Sequence, residues 1–359
     1  VHRCIGALKR EELRLLSVLS EGATAQDNFW LASLNALSST PSLPSPDTIQ
    51  PVLEAYAVFF LKFKSKQCSR YVTTVAEWSF GGAAESFLKL TEQQEHLQSG
   101  RKKVQNADDR VDDDDDTHTR DDAAAVPRIT VHRWLLFYAL CNHLLERLGV
   151  IMDFAFPVVL PYIVGTLNNY CSSTQRGTRH ISDLIARTLE GALNAVRQIA
   201  FAQTAPPDHD HSVPVENYLA TPEVFNALMP AVVRQLTNLV YLADGIHDYL
   251  FRAEHHVIPA VRALFRSLTS TQQQSRTQRE LVRTLRHPSR QVRRMALLCF
   301  DGIYEDGGGE LAARLMAEML PAVAELTEDK DDAVVEQARK LCVNLSTITG
   351  QDVLYAMSA

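Results

Sequence analysis

A short pattern recurs along the second half of this chain: an apolar residue, then Pro-Ala-Val, then a spaced leucine or its equivalent. It reads MPAVVRQL at Met229 to Leu236, IPAVRALF at Ile258 to Phe265 and LPAVAELT at Leu320 to Thr327, with LPYIVGTL at Leu160 to Leu167 as a looser copy. Proline fits the first turn of a helix or bends it farther in, so a recurrent proline marks the same place in successive helices. A second register comes from HPSRQVRRMALLCF (His287 to Phe300) and DKDDAVVEQARKLC (Asp329 to Cys342). Val292 falls on Val334 and Ala296 on Ala338, each pair 42 residues apart. Paired helices with a period near 40 define HEAT-type repeats. One pair cannot bury its apolar face alone, so pairs stack, and small alanines let neighbours approach closely. The expected fold class is all-α, a HEAT-like α-solenoid of stacked antiparallel helix pairs.

The rest of the sequence agrees. Leucine occurs 44 times, whereas alternating runs of Val, Ile and Thr are scarce, which favours helix over sheet. Trp134, Leu135, Phe137, Tyr138, Leu140, Cys141, Leu144, Leu145 and Leu148 recur at three- and four-residue steps and define a wide apolar face. Leu184, Ile185, Leu189, Leu193, Val196 and Ile199 do the same farther on. No strand pair and no glycine-turn hairpin stands out. Between Asp108 and Asp122 the run DDRVDDDDDTHTRDD holds nine Asp and two Arg, a density of like charge that resists folding. The chain therefore divides into N-terminal helical repeats over 1–98, a disordered acidic linker over 99–126 and a C-terminal HEAT-repeat domain over 127–359. The linker serves as a solvated spacer or docks on a basic partner. SSTPSLPSPD (Ser38 to Asp47) and APPDHDHSVP (Ala205 to Pro214) are smaller breaks.

Several functions lose support at this level. No stretch reads as long and apolar enough to cross a membrane: the best candidate, Val150 to Leu167, carries Asp153, Pro157 and Pro161 and reads as a buried helix, so no membrane is expected. Six well-separated cysteines never form C-x-x-C, which suits a reducing compartment rather than a disulfide scaffold or zinc ribbon. The chain begins with Val rather than Met and reads as a piece of a longer one. GGG at Gly307 to Gly309 lacks the Lys-Ser/Thr of a phosphate loop and is a helix stop between two helices. DHDH at Asp208 to His211 has metal-ligand residue types without a second ligand pair, and His255 and His256 point about 100° apart on a helix. No catalytic, cofactor or metal site is expected, and no small-molecule substrate.

One polar feature has geometry behind it. SRTQRELVRTLRHPSRQVRR (Ser275 to Arg294) contains Arg276, Arg279, Arg283, Arg286, Arg290, Arg293 and Arg294 against only Glu280. With Leu281 as the centre of the buried face, the first four lie roughly 140° to 220° away, so they form a stripe opposite Leu281, Val282 and Leu285. Arg290, Arg293 and Arg294 follow at the start of the next helix, where backbone N–H groups also favour anions. Seven cations beside one anion repel each other, and a phosphate backbone or another acidic partner relieves that cost. The other reading is an ordinary solvated helix face, alone or paired with the acidic linker. With no aromatic residues interleaved, base-specific recognition is not expected.

The tail also carries a resemblance. MLPAVAELTEDKDDAVVEQARKLCVNLSTITG (Met319 to Gly350), preceded by HPSRQVRRMALL, resembles the C-terminal end of the very large HEAT-repeat proteins of the UtpA (t-UTP) subcomplex. VAEWSF (Val75 to Phe80) resembles that family's Trp-containing helix, RWLLFYALCNHLLERLG (Arg133 to Gly149) the helix after it, and FPVVLPYIVGTLN (Phe156 to Asn168) continues the match. The similarity covers about 130 to 359 best and thins before Leu53. It departs at Gly81 to Val126, where the family's connection is much shorter. The resemblance implies a nucleolar, non-catalytic scaffold of the small-subunit processome, needed for 18S-type rRNA maturation and linked to transcription of ribosomal DNA. Its implied partners are other processome proteins and pre-rRNA or U3 small nucleolar RNA. The competing class is a generic HEAT-repeat adaptor, such as a nuclear transport receptor or a phosphatase scaffold.

Overall fold

The computed structural model describes residues 31, 33–39, 45–61, 65–81, 128–169, 179–180, 183–204, 217–241 and 246–353. The acidic segment 99–126 and the DHDH run at 208–211 lie outside the described residues, as do Cys4 and Cys171. The helices are α1 (Pro46–Phe60), α2 (Ser65–Phe80), α3 (Arg128–Leu148), α4 (Phe156–Asn169), α5 (Asp183–Thr204) and α6 (Pro222–Arg234). They continue with α7 (Ile246–Arg252), α8 (Ile258–Ser267), α9 (Thr271–Leu285), α10 (Arg290–Leu326) and α11 (Asp332–Thr349).

These helices form two layers. In one, α1, α3, α5, α8, the first half of α10 and α11 pack side by side; in the other, α2, α4, α6, α9 and the second half of α10 do so. Alternate helices thus belong to alternate layers, which is an all-α repeat solenoid of the armadillo/HEAT kind. One continuous apolar core runs from Leu34 to Val353. The repeat register is visible in it: Val292, Ala296, Val334 and Ala338 are all fully buried.

The glycine run divides α10. Gly308 adopts φ 68°, ψ −171°, an extended left-handed conformation that only glycine enters readily, and the helix breaks there as expected. The prolines do not all open helices. Pro230 and Pro321 lie inside α6 and α10. Pro259 follows a π-helical turn, Ala253–Val257, that joins α7 to α8. A widened turn accommodates a residue that has no N–H to donate and whose ring crowds the preceding carbonyls.

Two expectations need correction. Ile151–Asn169 does meet the length and apolarity requirements of a membrane span, although 61% of its apolar window is buried in the stack. Its first part is a 3-10 segment, Gly149–Ala155, and α4 then packs on α2, α5 and α6, so most of the apolar residues face other helices, while Ile151 stays exposed. The second departure is a strand pair: β1 (Arg179–His180) and β2 (Val240–Tyr241) are parallel, with Arg179 opposite Val240 and His180 opposite Tyr241. The connectors after α4 and after α6 both return from the second layer to the first. The two short strands therefore run in the same direction, and Val240 and Tyr241, both strand-favouring residues, pair with Arg179 and His180.

Candidate functional site

The arginine stripe lies on α9, the turn after it and the start of α10. Helix α9 turns Leu281 and Leu285 fully inward, half-buries Val282 and leaves Arg276, Arg279 and Arg283 exposed, so the face assignment holds. Arg286, Arg290 and Arg294 are exposed as well, while Arg293 keeps only 15% of its side chain accessible.

The charge balance differs from that of the local sequence. Glu280 pairs with Arg283 at 2.6 Å, but the fold brings in three further carboxylates. Arg286 forms a two-pronged bond to Glu325 at 2.7 and 3.1 Å. Arg290 meets Asp331 at 2.8 Å, and Arg293 meets Asp329 at 2.8 Å. Arg276 donates to the Asn226 side chain and lies over the Phe225 ring at 5.7 Å. Among the described residues Arg279 bonds only the carbonyl of Ser275, one turn back on its own helix, at 3.3 Å. Among the described residues, Arg279 and Arg294 form no ion pair.

These couples are chemically unequal. Arg293 also donates to the carbonyls of His287 and Pro288, each at 2.9 Å, and its partner Asp329 is 9% exposed. Burial works to raise the Asp329 pKa, but the bonds from Arg293 and from the Asp331 N–H outweigh it and hold the carboxyl below its ordinary value. Arg293 is therefore a structural clamp, and its guanidinium is committed inside the protein. Arg286 and Glu325 are both more than half exposed. Their hydrogen bond holds Glu325 low and Arg286 high, yet water and salt screen such a pair. Arg283 and Arg290 are likewise on the open side of their pairs, at 75% and 64%. A phosphate can compete for these three and can approach Arg279 without displacing a carboxylate.

The anions that sequence reasoning missed sit 36, 39 and 41 residues after their arginines. That is close to the repeat offset, and the period was the signal that could have found them. Other polar groups stay in the scaffold. Among the described residues no cluster of His, Cys, Asp and Glu is arranged to hold a metal ion. His255 stacks on Phe251 at 4.3 Å. Cys68, Cys141, Cys299 and Cys342 are buried, and burial pushes all four thiols up, Cys299 to about 12.

Packing in two layers places the chain among all-helical repeat proteins. The solved structures it is similar to match it at low identity. A computationally designed armadillo repeat protein for modular peptide recognition is 13% identical, with a TM-score of 0.35, over 92% of this chain and 97% of that one. A second designed armadillo repeat protein is 13% identical with a TM-score of 0.33, over 92% and 98%. No family profile and no curated protein matches the sequence.

Proposed function

We propose that this chain is a non-catalytic scaffold of the small-subunit processome, acting in the nucleolus in pre-rRNA processing and 18S rRNA maturation, with a role in transcription of ribosomal DNA. Its solenoid surfaces hold other processome proteins. The open arginines of the α9 edge, led by Arg279 and Arg283, contact phosphates of pre-rRNA or U3 RNA without reading bases. The reading is supported by the resemblance over α3, α4 and the α10–α11 pair. The observation that carries its RNA half is the exposed row of Arg276, Arg279 and Arg283 on one face of α9. Phosphate contacts of this type are additive and salt-dependent.

A tagged fragment captured from nuclei tests the scaffold half. Recovery of processome proteins with U3 RNA is expected, and their absence overturns it. Cross-linking to RNA tests the other half, since Arg279→Glu with Arg283→Glu should lower it while leaving the protein partners in place.

A second reading is a generic HEAT-repeat adaptor, such as a transport receptor or phosphatase scaffold. It is favoured by one observation: Arg283, Arg286, Arg290 and Arg293 already have carboxylate partners, so less repulsion remains for RNA to relieve. Partners that survive nuclease treatment and include no processome protein would select it.

A further inference from the structure

A cleft of about 380 Å³ opens between α8, α9 and the kink of α10, with Arg262, Arg266, Arg314, Phe265, Ile303 and Leu311 among its lining residues. It is distinct from the arginine stripe and shares no residue with it. Glycine builds it. Gly307 lines the cleft at the α10 break, and Gly302 leaves room for the Arg262 side chain, whose atoms lie 2.7 Å from where a Cβ would stand. Arg262 is thereby laid against α10 and held by Asp306 through two bonds of 2.9 and 2.7 Å. That carboxylate pushes the Arg262 pKa up, so its charge is used internally.

The other two arginines are free to recognise something else. Arg314 donates to the neutral side-chain oxygen of Gln274 at 2.5 Å, and among the described residues neither Arg266 nor Arg314 forms an ion pair. Phe265 and Ile303, each 3% exposed, form an apolar floor, with Leu311 half-buried beside them. The lining holds three arginines against two carboxylates, Asp306 and Glu310, and Asp306 is already paired. We propose that this cleft is a docking site for a short acidic segment of a partner protein, with carboxylates at Arg266 and Arg314 and an aliphatic side chain on the Phe265–Ile303 floor. Guanidinium groups bind carboxylates in a two-pronged fork, and a charge-assisted pair beside an apolar floor gives both orientation and affinity.

The test is fluorescence anisotropy with a labelled twelve-residue peptide alternating Glu and Leu, titrated with the whole chain. Binding is expected, and Arg266→Glu with Arg314→Glu should weaken it by roughly tenfold or more. Arg266→Gln with Arg314→Gln should weaken it less, and a matching Lys–Leu peptide should not bind. Both residues are surface-exposed, and circular dichroism of the variants verifies the fold. Absence of binding by the unaltered chain overturns the proposal, as does equal binding by the double Glu variant. Loss of peptide binding on Arg279→Glu with Arg283→Glu also overturns it, because the stripe would then be the site.

Discussion

Arg290 and Asp331 meet at 2.8 Å across 41 residues of chain, one fewer than the repeat offset. Arg290 is the first residue of α10, and Asp331 is the N-cap of α11, accepting from the Val334 N–H at 3.3 Å. The start of one helix is thus tied to the cap of its counterpart in the next repeat. Arg293–Asp329 and Arg286–Glu325 make the same kind of tie nearby. Three repeat-to-repeat bonds therefore span the edge on which nucleic-acid contact is proposed, and of these only Arg293–Asp329 is shielded from water on both sides.

Removing one arginine should separate clamp from surface. Arg293→Ala leaves Asp329 with little access to water and frees two carbonyls, and should cost about 2–4 kcal/mol. Arg286→Ala, at an open pair, should leave the urea midpoint unchanged within error. Chemical denaturation of the two variants checks the contrast, and equal losses would refute it.

Opposite faces of α9 should respond in opposite ways. Leu281→Ala empties a fully buried position and should cost roughly 2–5 kcal/mol, whereas Arg279→Glu should not measurably shift the thermal midpoint. RNA cross-linking should show the reverse order of effects.

The break in α10 needs its glycine. At φ 68°, ψ −171°, Gly308→Ala forces a side chain into a region that L-residues avoid, with an expected loss of about 1–3 kcal/mol. Gly308 itself has open space for a Cβ, so the loss would report backbone strain rather than a clash. Unaltered stability in urea would show that the kink can be made another way.

Acid should weaken the α9–α10 turn. Burial first, and then the charge of Arg293, hold the His287 pKa below its ordinary 6.5. The unfolded chain therefore binds this proton more readily than the native one. Stability from this source is present above about pH 6.5 and declines as the pH falls through the lowered native value. The drop in thermal midpoint between pH 7.5 and 5.5 should be smaller in His287→Gln, and an unchanged drop would exclude His287 as a source.

The buried thiols should be inert. Cys68, Cys141, Cys299 and Cys342 are buried with their pKa values pushed up, so the thiolate needed for reaction is scarce. Labelling of these four by a disulfide reagent should follow global unfolding in urea, as read by mass spectrometry of their peptides.

Helix, repeat and face were legible in the linear chain because they depend on spacing within one helix or on a fixed offset between two. Val292 and Val334 are equivalent in both sequence and core, and Leu281 and Arg279 point the expected ways. The charge state of the stripe was not legible, because Coulomb attraction depends on distance in space, and Glu325, Asp329 and Asp331 become neighbours only when α10 folds back at Gly308 and α11 stacks on it. The parallel β1–β2 contact has the same origin, since connectors meet through the stacking of the helices they join. Local periodicity was enough to specify a two-layer helical stack. Which arginines stay open to a partner, and which are consumed as ties between repeats, was decided only by the packing that brings residues some forty positions apart within bonding distance.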